Sequence, residues 1–351
     1  STRKESSAAS DVYKRQVGGY KTAFRAVYSH GEGGPVIGIL CEYDALRGLG
    51  HGCGHHMQGP GCLGAAAALK NLDTDRPFQI VVYGTPAEET LGSKCDMIKK
   101  GCFHDLDVAF MMHGGPNTCT DVRCLAQRSF HVTFHGKRAH AALAPDKGRS
   151  AFDALLAAFQ GIEFLREHVP DDVRMHYTVA KLPGPANVVP AEAEGEFAIR
   201  SFSRKTLEGV CERFLDIIKG ASLIAGVDYE IKEGTFFFNK IPVLKLNELL
   251  MNNAKLAGAP QLAPPREKTG STDFGNVMYE IPGSCIRVAF VPEGTSSHSQ
   301  EFVDAGKTEA AHNCILYGAK AIAGASMDLI MTDGLMDQVK EEFAENKKKN
   351  Q

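Results

Sequence analysis

Apolar runs and amphipathic stretches alternate through the first third of the chain. Runs rich in β-branched and aromatic residues, bounded by Gly, Pro and Ser, predict strands over 22–28, 36–43, 78–83 and 107–112. Helical spacing of apolar residues predicts helices over 63–72 and 93–100. That alternation implies an α/β layer with a mostly parallel central sheet. After about Leu125 the order changes to a strand over 129–135, a helix over 150–168, strands over 173–182 and 193–202, a helix over 205–224 and a strand over 227–232. This βαββαβ order is a ferredoxin-like signature, and α/β elements resume after Ile241. The expectation is a unit over 127–238 inserted into a discontinuous first domain, 17–126 and 239–346. Residues 1–16 are polar and aperiodic and are expected to be disordered or non-native. Lys347, Lys348 and Lys349 read as the solvated end of a helix.

Length and composition narrow the classes. A chain of 351 residues suits two domains with cores of their own, and 43% hydrophobic with 23% charged residues is ordinary for a globular protein. Thirty-nine Lys and Arg against 42 Asp and Glu leave a net charge of −3, too balanced to neutralise a phosphate backbone, so no nucleic-acid partner is expected. No run is read as reaching the ~18 apolar residues of a membrane span, and no basic-then-apolar leader is found. A soluble, cytoplasmic protein without a membrane partner is the expectation. Ten cysteines scattered from Cys41 to Cys314 without a CxxC pair read mostly as reduced, buried thiols.

The chemistry gathers at strand ends. Glu42 and Asp44 follow the second predicted strand, Glu88 and Glu89 the third and His113 the fourth, while the apolar run 285–291 leads to His298. Ligands of open α/β sheets bind outside the carboxyl ends of the strands, so these groups should converge. His51-Gly-Cys53-Gly-His55-His56 places a thiol and an imidazole two residues apart, able to ligate one metal or adjacent metals. By itself it is equally a glycine-rich loop with incidental histidines. Glu88 and Glu89 could be two solvated turn residues. In extended structure they point oppositely, so that one can bind metal while the other faces substrate as a proton shuttle.

Cys41-Glu-Tyr-Asp-Ala-Leu46, His51-Gly-Cys-Gly-His55, Gly84-Thr-Pro-Ala-Glu-Glu89, Met112-His113 and Thr269-Gly-Ser-Thr-Asp-Phe-Gly275 together resemble the aminoacylase and amidohydrolase metallopeptidases, peptidase family M twenty. Within it the chain is most similar to the p-aminobenzoyl-glutamate hydrolase-like and dipeptidase-like branch. The likeness runs from about Gly19 to Met331, and the helical segment with which family members begin has no counterpart before it. The resemblance implies a zinc-peptidase-like catalytic domain with an inserted lid and dimerisation domain. Cys53, His55, Glu89, His113 and His298 would bind two divalent ions, zinc or manganese first and cobalt or nickel next, with Glu88 as general base. Gly136-Lys-Arg-Ala-His140 resembles the family's lid histidine, which steadies the oxyanion in the partner's site of a homodimer. Asn187 and Arg200 resemble the residues that hold a substrate carboxylate, a task suited to the bidentate hydrogen bonding of arginine. Alone, His140 would read as a surface histidine and Arg200 as a strand-edge charge. Arg47, His56 and Gly114 depart from the family pattern, where proline, asparagine or aspartate, and proline are usual.

The implied activity is metal-dependent hydrolysis of an amide next to a free carboxylate, in an N-acyl amino acid, a dipeptide or a p-aminobenzoyl-glutamate type substrate. Two rivals stand beside it. Gly59-Pro-Gly61-Cys-Leu-Gly64 fits the GxGxxG of dinucleotide-binding oxidoreductases, but no strand directly precedes it. A non-catalytic metal-binding or interaction protein on the same fold is the other. A serine hydrolase has no GxSxG to support it.

Overall fold

The computed structural model describes residues 13–350, which run as follows. First come strands β1 (Tyr13–Gln16), β2 (Phe24–His30) and β3 (Val36–Cys41), helix α1 (Gln58–Lys70), β4 (Phe78–Gly84), α2 (Ser93–Lys99), β5 (Val108–Gly115) and β6 (Cys119–Thr120). Then follow β7 (Ala126–His135), α3 (Ala151–Arg166), β8 (Arg174–Lys181), β9 (Glu192–Ser201), α4 (Arg204–Ala225) and β10 (Asp228–Phe237). The chain closes with α5 (Leu244–Leu256), α6 (Phe274–Glu280), β11 (Gly283–Ala289), α7 (Gln300–Ala305), α8 (Glu309–Met331) and α9 (Leu335–Lys349).

These elements form two compact units, one from the segments up to Cys124 and from Lys240 onward, the other from Leu125–Asn239. In the first, seven strands are ordered β1-β2-β4-β3-β5-β11-β6. β4, β3, β5 and β11 are mutually parallel, while the β1–β2, β2–β4 and β11–β6 pairs are antiparallel. The sheet is therefore mixed, with the expected parallel character confined to its centre. The reason is burial: Val36–Cys41 and Phe78–Gly84 are almost wholly apolar and covered on both faces, which suits parallel strands, whereas β2 is mostly half-buried, with Ala26 its one buried residue. On one face Leu40, Val81, Tyr83, Ala109 and Met111 pack against Met97 of α2 and Phe274, Val277 and Met278 of α6. Met112, pointing the other way, fills the space left by Gly61 of α1 and Gly318 of α8.

Two expectations are corrected. Residues 13–16 are not outside the fold, because Tyr13–Gln16 pairs antiparallel with Phe24–Val27; backbone pairing on an open edge needs no apolar period. Residues 1–12 lie outside the described part. Glu309–Met331 is, by length and composition, a helix apolar enough to cross a membrane, contrary to the sequence reading. Its Ala311, Cys314, Gly318, Ala321, Ile322 and Ala325 are buried in the unit's own core.

The second unit has a four-stranded antiparallel sheet, β10-β7-β9-β8. Phe130, Phe134 and Phe197 from the sheet pack against Leu155 and Ile162 of α3 and Phe214 and Ile218 of α4. Both helices start where the sequence supplies a cap: Ser150 and Ser203 side chains accept from the backbone N–H of Asp153 and Thr206. β8 is an edge strand with nearly every residue exposed.

Candidate metal centre

Because β4, β3, β5 and β11 are parallel neighbours, their carboxyl ends open on one edge. The connections then aim the side chains. Gly54, at φ 74°, turns the loop into a short 3-10 helix that begins at His55. After β4 the chain passes through Ala87 at φ 63°, and Glu88 and Glu89 sit in a turn. His113 lies inside β5, where extended pairing sets it opposite Arg287 of β11. His298 is held at φ 64°, and its backbone N–H donates to the Gly52 carbonyl at 3.0 Å. Of the four non-glycine residues at positive φ among those described, two therefore aim this site, a strain that surrounding structure must hold in place.

The side chains meet closely. Cys53 Sγ is 2.8 Å from His298 Nε2, which is 3.8 Å from Glu89 Oε1. Cys53, His55 and His113 offer ligand atoms within 4.8 Å of one another, and so do Cys53, Glu89 and His298, and His55, Glu88 and Glu89. The His55 and His113 rings meet edge to face with centroids 5.4 Å apart. All five residues expected as ligands, and Glu88, come together. The idea that Glu88 and Glu89 point oppositely is corrected, since a turn and not extended chain carries them and both carboxylates reach the His55 side.

Around this set lies a buried acidic layer. His55 Nε2 is 3.3 Å from Glu42 Oε2 and its Nδ1 is 3.4 Å from Asp44 Oδ1, whose other oxygen accepts from the Glu89 backbone N–H. Burial alone would lower the His55 pKa, but the Glu42, Asp44 and Glu88 carboxylates raise it to about 9. His113 goes the other way, to about 3, because it is buried and faces the Arg287 guanidinium 3.1 Å away. Burial, with Glu42 and Asp273 nearby, raises Glu88 to about 8. Burial and the Glu89 and Glu88 carboxylates push the Cys53 thiol up.

This donor set fits divalent cations. Glu89 Oε1 is buried and accepts no hydrogen bond, so a carboxylate oxygen stands unmatched between a thiol and two imidazoles. Thiolate, imidazole and carboxylate donors together suit zinc, manganese, cobalt or nickel. His51 and His56 do not join it: their rings meet tilted at 49° with centroids 4.9 Å apart, and His56 Nε2 donates to the Gly306 carbonyl at 2.7 Å.

In the second unit His140 and Asn187 are exposed neighbours: the Ala141 N–H donates to the Asn187 carbonyl, and His140 Nδ1 accepts from the N–H groups of Ala142 and Leu143. Arg200 is partly buried on β9. Sequence reasoning gave no role to Lys94, Asp273 and Gln58, which are buried and bonded around Glu42. Asp273 fell inside a motif quoted above, and Lys94 gave no signal at all.

A mixed α/β sheet whose parallel strands deliver this thiol, imidazole and carboxylate cluster defines a metal-dependent amidohydrolase. The model of Peptidase family M20/M25/M40 matches residues 40–324, and the chain belongs to that family. It is 32% identical over 338 residues to the Xaa-Arg dipeptidase of Mus musculus, covering 93% of this chain and 78% of that protein. It is 29% identical to one of the chains of the p-aminobenzoyl-glutamate hydrolase of Escherichia coli strain K12, covering 93% and 84%. The crystal structure of a dinuclear metal-binding peptidase of Bacillus subtilis shares the fold with a TM-score of 0.71 at 18% identity, over 94% of this chain and 91% of that one.

Proposed function

We propose that the protein cleaves an amide bond next to a free carboxylate and that Cys53, His55, Glu89, His113 and His298 hold two divalent ions, zinc or manganese, for that reaction. The observation that carries this is the meeting of these residues, from four separate stretches, beside Glu88. When bound, such ions would supply Lewis-acid polarisation of the amide carbonyl and would lower the pKa of water from ~15.7 to about 7. The Glu88 carboxylate takes a proton from the attacking water and returns it to the departing amine nitrogen. Asp44, 3.4 Å from His55 Nδ1, fixes the ring's orientation and leaves Nε2 facing Glu89 as the ligating nitrogen.

The second unit is proposed as a ferredoxin-like lid and dimerisation domain. The family resemblance supports His140 as the group that steadies the oxyanion and Asn187 and Arg200 as the carboxylate anchor. The exposed edge of β8 supports pairing with a second copy. The ten free cysteines support work in a reducing compartment, the cytoplasm. A non-catalytic metal-binding role is the second reading, and it is disfavoured because the base position is filled as well as all five ligand positions.

The Xaa-Arg dipeptidase relatives make dipeptides ending in arginine the first compounds to test, followed by other dipeptides, N-acyl amino acids and p-aminobenzoyl-glutamate. Hydrolysis should vanish on chelation and return with added zinc or manganese. A chelated protein that keeps its activity, or a loaded one that cleaves no compound in the series, overturns the proposal. Arg200→Ala should raise KM for carboxylate-bearing substrates with little change in kcat, and an unaltered KM moves the anchor elsewhere.

A further inference from the structure

Lys94 sits at the start of α2 with no exposed surface, and the chemistry above gives it no task. Its Nζ donates to Glu42 Oε1 at 2.7 Å and to Asp273 Oδ1 at 2.7 Å, and its backbone N–H donates to Asp273 Oδ2 at 3.1 Å. Glu42, Asp273 and Glu88 each bring a carboxylate oxygen within 4.8 Å of the others. Three buried acids at that spacing could themselves hold a divalent cation. Here an ammonium lies against two of them. Burial would strip its proton, and the Asp273, Glu42 and Glu88 carboxylates keep it charged.

We propose that Lys94 is a built-in cation, a positioning residue whose ammonium holds Glu42 and Asp273 in place and keeps divalent ions out of the acidic group behind Glu88. The inference rests on reading Cys53, His55, Glu89, His113 and His298 as the metal ligands and Glu88 as the base. Glu42 Oε1 is tied to Lys94, while Glu42 Oε2 accepts from Gln58 Nε2 at 2.8 Å and lies 3.3 Å from His55 Nε2. The order Lys94, Glu42, His55 thus runs from a tethered charge to a metal ligand. A lysine cannot diffuse away or be replaced by solvent ions, and it brings one positive charge instead of two. Were a dication to settle among Glu42, Asp273 and Glu88, it would coordinate the Glu88 carboxylate and turn the base into a ligand. The ammonium leaves Glu88 free for protons.

The test is Lys94→Ala, loaded with excess manganese chloride, passed through gel filtration and counted for manganese per chain. One more manganese than in the wild-type protein is expected, with kcat lowered roughly 10- to 100-fold and KM within about threefold. Ethylammonium chloride should displace the additional manganese and restore part of kcat. A manganese count equal to that of the wild type overturns the proposal, whatever the activity. Should Lys94→Ala fail to fold, Lys94→Met/Asp273→Asn removes one charge of each sign. It should hold the wild-type manganese count with lowered kcat, since Glu42 has lost its anchor, and a wild-type kcat there also overturns the proposal. A wild-type chain that binds no manganese sinks the ligand reading instead, while the additional ion of the variant is a difference and is read independently of any substrate.

Discussion

Glu88 and Glu89 are adjacent in sequence and both reach the His55 side, yet their surroundings separate them. Glu89 keeps a buried oxygen without a hydrogen-bond partner and lies 3.8 Å from His298, as a ligand would. Glu88 stands with Glu42 and Asp273, where burial and like charge favour holding a proton. Glu88→Ala should therefore retain the metal and lose kcat by roughly 10²- to 10⁴-fold. Metal analysis alongside turnover checks this, and near-normal turnover removes Glu88 from the role. Cys53→Ala and His113→Ala should instead lose metal and activity together, and unchanged metal content would strike them from the ligand set. These residues were legible because metal donors at the ends of apolar runs are unusual and meet only if the strands are parallel. Lys94 was illegible for the opposite reason: a lysine opening a short helix is ordinarily solvated, and only the distant Asp273 and Glu42 make it a buried charge.

At the scale of elements, turn residues misled the reading of α1. The helix begins at Gln58 and not at Leu63, because Pro60 falls in its first turn, where the missing N–H has no intrahelical acceptor to lose. The GxGxxG match at Gly59, Gly61 and Gly64 dissolves for a related reason. A Cβ at Gly61 would lie 2.1 Å from Met112 Sδ and one at Gly64 would lie 3.3 Å from Ala319 Cβ, so these glycines admit close packing of α1 on β5 and α8. Gly59 meets nothing within 4 Å. Gly61→Ala should cost about 1–3 kcal/mol through overpacking of the buried Met112, whereas Gly59→Ala should be neutral or stabilising by up to ~1 kcal/mol. Urea unfolding of the two variants gives the comparison, and equal effects would contradict the packing account. Short strands such as Cys119–Thr120 were illegible because two residues carry no period; pairing with β11 alone defines them.

At the scale of the whole chain, the first unit must close across the point where the second leaves it. The two halves meet in a seam: Thr118, Cys119 and Thr120 of the first half pair with β11 and the 260s loop of the second, and the Lys240 N–H donates to Cys124 Sγ at 3.2 Å. Sequence order implied such a return, but the groups that fasten it are far apart in the chain and were not foreseen. Asp121 is the centre of the seam. Its carboxylate takes Arg266 Nε at 2.6 Å and Arg287 Nε at 3.1 Å, and its carbonyl accepts from Lys240 Nζ and Asn247 Nδ2. Burial would raise its pKa, and Arg287 with Arg266 overrides this and lowers it from 3.8 to about 2. A carboxyl group held below its unfolded value stabilises the fold fully above that value and loses the contribution as pH falls through about 2. The shift corresponds to about 2 kcal/mol. Asp121→Asn should thus destabilise the protein by about 3 kcal/mol at pH 7, the excess coming from arginines left without their partner. Its difference from wild type should shrink as unfolding is measured at successively lower pH between 5 and 2. A difference that stays constant over that range would mean that the seam is held by packing and not by the Asp121 charge.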